Sequence, residues 1–396
     1  MDYSKPVRDP FGAFSPSMRE IGEEMTAVEN TEIGAFSLGV EEEYFLIDSV
    51  TGEVAHEVPE SLFEEASAAT EGRIEHELLR SQAETVTRPC TSLRQIRSEL
   101  RFTRSVLSSV SARHGLAIAA AGTHPTAAWR GAVNNTDERY ERVMGDLQMI
   151  GERNMLCGMH VHVALPDPDR RVEVMRRVLP FLPLFIALAT SSPFWTSRAT
   201  GLKGYRLAAY DELPRTGLPE LFDGVEDYDA YCAALIAADA IPDPSHLWWA
   251  IRPSLKFPTL ELRAPDSCTR LDDAVAIAAL YRTLIRHLYF DPRCNEDVGS
   301  LHRALAVENK WRAQRFGVQA SFATLDGPQT VAEFLDKVIA LTADDAKQLR
   351  CTTEIRHCRA IVATGTSADR QIEIFEKEGA LLPVIRWIAE TTSKVV

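Results

Sequence analysis

Three consecutive glutamates stand inside an apolar stretch near the start of the chain, in the sequence GVEEEYFLID at positions 39–48. The aromatic and branched residues around them predict a β-strand that begins near Ala35. Alternate side chains of a strand share a face, so Glu41 and Glu43 lie together while Glu42 points to the opposite side. Two carboxylates on one face repel each other unless a proton or a cation such as Mg²⁺ or Mn²⁺ lies between them. The pattern favours a metal site, with a solvated acidic edge strand as the alternative.

Two further segments carry chemically active side chains at the same two-residue spacing. In GMHVHV, His160 and His162 share one strand face, where imidazoles can bind a metal or hold phosphate or carboxylate oxygens. In TLELRAPD, Glu261 and Arg263 share a face, and Arg252 in the preceding strand could join them. Core histidines and a cross-strand ion pair are the plain alternatives. In the functional interpretation Glu261 binds metal and Arg263 clamps phosphoryl oxygens, which a guanidinium matches with two N–H groups.

Weaker signals surround these segments. Glu75, Glu77 and Glu84 lie in one acidic stretch. In the functional interpretation one or two of them complete the ligand shell of a metal, and in the plain alternative they are merely exposed. A basic helix face around Trp311 either faces solvent or recognises an anion; it comprises Asn309, Lys310, Arg312 and Arg315. Neither a Walker loop nor a GxGxxG fingerprint is present, so any nucleotide must be held through metal ions and arginines. Together these residues indicate phosphoryl chemistry around divalent metals.

The periodicity divides the chain into an extension and one folded region. Residues 1–34 mix Pro, Gly, Ser and acidic residues without periodicity and are predicted to form a mobile N-terminal extension. Residues 35–396 are predicted to form a single domain, whose dispersed strands and helices favour an α+β architecture. Residues 200–246, rich in Gly and Pro, are predicted to be irregular loops that cover the substrate. Helices are predicted at 93–114, 137–155, 172–190 (bent or divided at its prolines) and from 271 onward, and further strands at 116–121, 157–165, 248–256 and 259–263.

Composition argues against several classes of protein. The net charge of −14 and the lack of a Lys/Arg run argue against binding to nucleic acid or to an anionic membrane. Seven cysteines without a CxxC pair argue against a disulfide framework or a tetrathiolate zinc site. The N-terminus lacks the apolar stretch of a signal peptide, and the longest apolar run, at 178–189, is too short to span a bilayer. These features predict a soluble, cytoplasmic protein.

At these residues the sequence resembles the glutamate–cysteine ligase type 2 family, in its carboxylate–amine ligase branch. The segments that carry the resemblance are GVEEEYFLID at 39–48, CGMHVHVALPD at 157–167, RPSLKFPTLELRAPD at 252–266 and ENKWRAQRFG at 308–317. They follow one another in the family's order. The resemblance implies a glutamine-synthetase-like catalytic fold, in which an antiparallel sheet flanked by helices forms a funnel for ATP and metals.

The resemblance also implies ATP-dependent amide formation with Mg²⁺ or Mn²⁺ as cofactor and small molecules as partners, in a possible homodimer. ATP would phosphorylate a carboxylate such as the γ-carboxylate of glutamate, and cysteine or another small amine would attack the acyl phosphate. The residues implied are Glu41, Glu43, Glu84, His160 and Glu261 for metal, Arg263, His162 and Arg252 for catalysis, and Arg206, Arg263 and Arg312 for nucleotide or substrate contacts.

Three alternatives remain open. The stretch WWAIRP at 248–253 lacks the acidic residue that the family usually has after the tryptophan, so a ligase of secondary metabolism with a different acid or amine is one alternative. A zinc hydrolase built on the HxH strand is the second, and it would retain zinc and need no ATP. The third is a catalytically silent metabolite-binding protein, against which the joint presence of these site residues argues.

Overall fold

The computed structural model describes residues 35–128, 145 and 147–394, in which a mainly antiparallel set of strands lies among helices. The strands are β1 (Leu38–Asp48), β2 (Ile74–His76), β3 (Gln82–Val86), β4 (Leu116–Ala119), β5 (Met159–Ala164), β6 (Phe194–Trp195), β7 (Arg198–Ala199), β8 (Ile251–Pro253), β9 (Thr259–Leu262), β10 (Ser321–Thr324) and β11 (Gly327–Thr330). The helices are α1 (Glu60–Thr70), α2 (Leu93–Arg113), α3 (Met149–Glu152), α4 (Arg171–Val178), α5 (Leu182–Ala189), α6 (Tyr205–Tyr210), α7 (Val225–Ala237), α8 (Leu271–Phe290), α9 (Ser300–Phe316), α10 (Val331–Leu341), α11 (Ala343–Gln348), α12 (Thr352–Thr364), α13 (Ser367–Glu378) and α14 (Leu382–Ser393).

The main sheet is organised around β1. Its order is β2-β3-β1-β5-β9-β8, and every pairing in it is antiparallel. On one side of β1, β5 pairs with the first half of the strand and β4 with the second half. β1 has neighbours on both edges and is buried on both faces over nearly its whole length, so its three glutamates are buried along with its apolar residues. The predicted α+β fold, an antiparallel sheet flanked by helices, is confirmed.

The helix predicted after residue 92 is confirmed as α2. Ser92 caps it, since its hydroxyl accepts a hydrogen bond from the backbone N–H of Gln95 while the Gln95 side chain accepts one from the N–H of Ser92. Gly115, just beyond the helix, has a φ of +73°, which favours glycine. The helix buries a face that includes Ile96 and Arg104 against the sheet. It therefore brings a cation to the side of β1 from which Glu42 projects.

The helix predicted at 172–190 is divided, as its prolines indicate. The segments α4 and α5 are separated by a 3₁₀ turn at Leu179–Phe181 that contains Pro180, and Pro183 lies in the first turn of α5. A proline is tolerated in a first turn, where its missing N–H has no helical partner to lose. From residue 271 onward the described chain is mostly helical, as predicted, with the β10–β11 hairpin and the loop at 291–299 as the main exceptions.

The prediction of irregular loops over 200–246 is wrong, because α6 and α7 lie there. Helix α7 buries only Tyr228 and Cys232, four residues apart. Because only two residues of this helix are buried, its sequence shows little of the 3.6-residue apolar periodicity that predicts a helix. The surrounding Gly and Pro residues obscure the helix further. Aromatic contacts hold this region together: Phe222 lies edge-on to Tyr228 with centroids 5.5 Å apart.

Some of the predicted segments fall partly or wholly outside the residues that the structure describes. The extension at 1–34 and residues 137–144 and 146 of the helix predicted at 137–155 lie outside them, and α3 occupies part of the rest of that range. All seven cysteines lie inside and are free thiols, in agreement with the absence of a disulfide framework. Across the described ranges, none of the helices combines the length and the apolarity needed to cross a bilayer.

Candidate functional site

The register of the main sheet brings most of the predicted site residues onto one face, in neighbouring cross-strand rows. The directly paired residues are Glu75 with Glu84, Glu84 with Glu43, Glu41 with His160, His162 with Glu261, and Glu261 with Arg252. Paired residues of antiparallel strands share a face, and so do Glu41 and Glu43 at a spacing of two. We call this side of the sheet the front face and the side that carries Glu42 the reverse face.

Glu41 orients both histidines of β5. Its Oε2 lies 2.9 Å from Nδ1 of His160, and its Oε1 lies 3.1 Å from Nε2 of His162. Nδ1 of His162 is also hydrogen-bonded to the hydroxyl of Thr259 at 2.9 Å. Burial opposes ionisation of Glu41, but the two histidines outweigh it and hold its carboxyl pKa well below the usual range. Burial likewise opposes charge on His162, but Glu41 and Glu261 outweigh it and raise the imidazole pKa.

Glu43, Glu84 and His160 form a buried cluster that fits a divalent cation. One potential ligand atom from each lies within 4.8 Å of the others. Nε2 of His160, 3.6 Å from Oε1 of Glu43, and Oε1 of Glu84 are both buried with no hydrogen-bond partner among the described residues. Burial, and then the negative charges of neighbouring carboxylates, raise the pKa of Glu84 well above its ordinary value. A cation would pair with these atoms and relieve the repulsion, so the residues present fit a metal ion.

A second possible metal group consists of Glu41, His160 and Glu261, but its glutamates are already engaged. Glu261 accepts hydrogen bonds from Nε and Nη2 of Arg252, at 2.9 and 3.2 Å, and from Nη1 of Arg263. Burial opposes its ionisation, but the two arginines outweigh it and hold the carboxyl pKa well below the usual value. The ion-pair alternative for Glu261 and Arg263 is therefore present in the fold. The cluster of Glu43, Glu84 and His160 is the better fit to a cation.

Arg206 of α6 adds a buried cation beside this cluster. Its Nη1 donates to the carbonyl oxygens of Arg263 and Pro265, at 3.3 and 3.2 Å, and its guanidinium lies 5.6 Å from the ring centroid of Tyr210. The guanidinium fits only because residue 158 is glycine: a Cβ atom on Gly158 would lie 2.1 Å from Nη2 of Arg206. Nε of Arg206 is buried and makes no hydrogen bond within the described ranges.

Gly158 and Tyr210 are site residues that the sequence-based prediction missed. The backbone N–H of Gly158 donates to Oε2 of Glu43 at 2.5 Å, so this glycine contacts both the cluster of Glu43, Glu84 and His160 and the Arg206 guanidinium. The hydroxyl of Tyr210 accepts from Nη2 of Arg263 at 3.4 Å. A glycine directly before an HxH strand indicated that another group packs closely against the backbone there. That group, the guanidinium of Arg206, comes from a distant part of the chain, so the sequence did not identify it. Tyr210 and Arg263 are 53 positions apart in the chain, so local pattern alone did not predict their contact.

Glu42 lies on the reverse face, as the alternation predicted, and its carboxylate is fully paired. It accepts hydrogen bonds from Nη2 and Nε of Arg104, at 2.5 and 3.0 Å, and from the hydroxyl of Tyr44 at 2.5 Å. Arg104 also donates to the carbonyl oxygens of Cys268 and Thr269, at 2.8 and 3.1 Å. Glu42 and Arg104 are both completely buried.

Arg312, like the rest of the basic helix face predicted around Trp311, is not among the residues that the structure brings to the front face. Its Nε donates to Glu308 at 2.7 Å and its Nη1 to the carbonyl oxygen of Ser321 at 2.9 Å, on the side of α9 that holds the β10–β11 hairpin. Lys310 of the same helix forms an ion pair with Asp211. These contacts favour a structural role for the basic helix face, and a nucleotide contact by Arg312 stays a prediction.

Comparison with known sequences identifies the family. Residues 37–386 match the family described as glutamate-cysteine ligase family 2. A protein of Bradyrhizobium sp. (strain ORS 278) named "Putative glutamate--cysteine ligase 2" is 53% identical over 368 residues, which cover 93% of this chain and 90% of that protein. A protein of the same name from Rhodospirillum rubrum is 42% identical over 352 residues, covering 87% of this chain and 90% of that protein.

Two solved structures share the fold at low sequence identity. A glutamate–cysteine ligase from Francisella tularensis in complex with AMP has a TM-score of 0.68 at 14% identity, and the match covers 91% of this chain and 89% of that one. A bifunctional glutathione synthetase from Pasteurella multocida has a TM-score of 0.70 at 16% identity; the match covers 94% of this chain, which spans about half (54%) of that protein. By sequence match along nearly its whole folded length, the chain belongs to glutamate–cysteine ligase family 2.

Proposed function

We propose that the chain is an ATP-dependent carboxylate–amine ligase that joins the γ-carboxylate of glutamate to cysteine or another small amine. The observation that carries the proposal is the front face, where a buried cluster of carboxylates and an imidazole lies beside buried arginines. Membership of the family supports it, because the family is described as glutamate-cysteine ligase family 2 and the relatives carry the name "Putative glutamate--cysteine ligase 2". The metal-binding cluster and the arginines are the two parts that phosphoryl transfer requires.

The chemistry explains why both parts are needed. A carboxylate does not react usefully with an amine at neutral pH, since the leaving group would be an oxide. Transfer of the γ-phosphoryl group of ATP to the carboxylate gives an acyl phosphate and ADP. The amine then attacks the acyl carbon, the C–O bond to phosphate breaks, and the amide, inorganic phosphate and a proton are released.

On the front face, Glu43, Glu84 and His160 would hold Mg²⁺ or Mn²⁺, with Glu41 and Glu261 as the further predicted ligands. A cation bound there supplies neutralisation of phosphoryl charge. Glu41 fixes the ring of His160 through Nδ1, so that Nε2 faces the cluster. Because the raised pKa of His162 favours its protonated form, His162 offers a further positive charge on the same face.

The arginines supply the remaining positive charge. Arg252 and Arg263 both form an ion pair with the carboxylate of Glu261, which holds two guanidinium groups close together. Two neighbouring guanidinium groups suit a transferring phosphoryl group or a substrate carboxylate, both of which match a guanidinium. Arg206, buried next to Arg263, is the second anchor for such an anion. The homodimer, the cytoplasmic location and the single domain at 35–396 stay predictions.

The test is ADP release with MgATP and glutamate across a panel of amines that includes cysteine, with product masses measured. We expect cysteine-dependent ADP release and a mass equal to γ-glutamylcysteine. ADP release with another acid or amine alone would keep the ligase chemistry and point to the secondary-metabolism alternative. Protein that retains zinc and releases no ADP with any pair would overturn the ligase proposal in favour of the zinc hydrolase.

A further inference from the structure

A series of side-chain contacts crosses the front face from Thr259 of β9 to the metal cluster on β1. The hydroxyl of Thr259 is hydrogen-bonded to Nδ1 of His162 at 2.9 Å. Nε2 of the same ring lies 3.1 Å from Oε1 of Glu41, and Oε2 of Glu41 lies 2.9 Å from Nδ1 of His160. Nε2 of His160 in turn lies 3.6 Å from Oε1 of Glu43. Four successive contacts therefore connect the threonine to the cluster.

The strand register explains why a threonine at this position reaches His162. In the pairing of β5 with β9, His162 lies opposite Glu261 and Ala164 lies opposite Thr259. Thr259 and Glu261 are two residues apart, so both belong to the front face. Ala164 places only a methyl group beside Thr259, which leaves room for the hydroxyl to reach diagonally to the imidazole. Because Thr259 is 4% and His162 is 6% exposed, bulk water does not compete for this hydrogen bond.

The hydrogen bond to Thr259 selects one of two orientations of the His162 ring. A half-turn of the imidazole about its Cβ–Cγ bond exchanges Nδ1 with Cδ2 and Nε2 with Cε1. Only one orientation places Nδ1 at the threonine hydroxyl, and the same orientation places Nε2 at Glu41. In the other orientation a C–H group would face the carboxylate. The hydroxyl thus decides whether His162 can hold Glu41.

Glu41 transmits this orientation to the metal cluster. Its carboxylate is planar and turns one oxygen to each histidine, so holding Oε1 at His162 directs Oε2 to Nδ1 of His160. A histidine that binds a metal through one nitrogen is oriented by the group bound to its other nitrogen. The direction of Nε2 of His160 therefore depends on Thr259 through two intervening side chains.

We propose that Thr259 is a positioning residue for the cation site, whose hydroxyl sets the ring of His162 and, through Glu41, the ring of His160. The proposal rests on the metal-binding part of the proposed function and is independent of which acid and amine the ligase joins. In this role the hydroxyl acts on the affinity for the cation, and the methyl group of Thr259 has no part in it.

The test is Mn²⁺ binding to the purified full chain, followed by the electron paramagnetic resonance signal of free Mn²⁺. Thr259→Val replaces the hydroxyl by a methyl group, and we expect the Kd for Mn²⁺ to rise about ten-fold, as on loss of other groups that orient a metal ligand. Thr259→Ser keeps the hydroxyl and should bind within about two-fold of the wild type. Thr87→Val is the matched control, because Thr87 is also 4% exposed but its hydroxyl accepts from the backbone N–H of Val40 at 3.0 Å. Its affinity for Mn²⁺ should stay unchanged.

Three results would overturn the proposal. Equal Mn²⁺ affinity in the wild type and Thr259→Val would do so and leave the metal assignment standing. A loss in Thr259→Ser as large as in Thr259→Val would show that the hydroxyl is not the group that matters. A wild-type protein that binds no Mn²⁺ would overturn the metal assignment and the role of Thr259 together. A ten-fold loss in Thr259→Val, in a protein that releases no ADP, would support the role of Thr259 while contradicting the ligase activity.

A second measurement follows the rings without any metal. In metal-free protein labelled with ¹⁵N-histidine, the ring-nitrogen resonances of His162 and His160 should shift in Thr259→Val. Those of His124, a buried histidine that is hydrogen-bonded to the carbonyl oxygen of Gly52 at 3.0 Å, should not. Unchanged resonances of His162 and His160 would contradict the proposal. If Thr259→Val does not fold, Thr259→Ala takes its place in both measurements with the same expected results.

Discussion

Glu42 and Glu43 are neighbours on one strand, yet their carboxylates lie in opposite electrostatic surroundings. On the reverse face, Glu42 is completely buried and takes hydrogen bonds from Arg104 and Tyr44. On the front face, Glu43 lies next to Glu84, and the pKa of Glu84 is raised because burial and like charges oppose its ionisation.

The difference sets a paired carboxylate against an unpaired cluster. A buried charge is tolerated when the protein supplies its counter-charge and hydrogen bonds, and the reverse face does so with one guanidinium. The front-face cluster keeps buried ligand atoms without partners in the described residues. We propose that a bound cation balances this cluster, so that the same residue type serves stability on one face and ligand binding on the other.

The largest effect should come from breaking the reverse-face pair. Arg104→Met leaves Glu42 buried without its cation, and we expect the free energy of unfolding to fall by about 3–5 kcal/mol. Denaturant unfolding of the purified protein measures it. Adding Glu42→Gln to Arg104→Met removes the stranded charge and should recover part of the loss. A double variant less stable than the single one would show that Glu42 contributes without Arg104.

The next effect separates the two faces by metal binding. Glu43→Gln removes a ligand from the front-face cluster, so we expect ADP release to fall more than about 100-fold and the stabilisation by Mn²⁺ in thermal unfolding to disappear. The metal-free stability should change by no more than about 1 kcal/mol, because the amide is isosteric and a like-charge repulsion is relieved. Glu42→Gln, one residue away, should lower stability but keep the thermal shift by Mn²⁺. Equal loss of the shift in both variants would contradict the assignment of faces.

The smallest effect should come from disturbing the contact between Gly158 and Arg206. Gly158→Ala places a Cβ atom where the Arg206 guanidinium lies, so Arg206 must move; we expect about a ten-fold fall in the rate of ADP release. Gly39→Ala is the matched control, because this glycine lies opposite His162 and its Cβ would meet only the Thr87 hydroxyl at 3.9 Å. A similar fall in both variants would mean that any added methyl disturbs the face, and Arg206 would lose its assigned role.

Much of the site was predictable because it depends on local alternation. The opposite directions of Glu42 and Glu43 and the shared face of His160 and His162 follow from the strand period alone, and the structure has them so. Helix α7 was not predicted because only two of its residues are buried, which gives too weak an apolar periodicity. The choice between the two metal groups depends on Arg252 and Arg263 pairing with Glu261. The strand period allowed this ion pair but left the metal interpretation of Glu261 equally open.

By itself the sequence determined the faces of β1, the capped start of α2, the division of the helix at Pro180 and the family. Each of these depends on backbone geometry or residue identity over a few neighbouring positions. Only the tertiary structure decided that Glu84 meets Glu43, that Arg104 meets Glu42 and that Arg206 lies against Gly158. Those contacts join segments far apart in the chain, so they depend on how the whole sheet and its helices pack. The strand register is decisive, because a shift of one residue would turn every paired side chain to the other face.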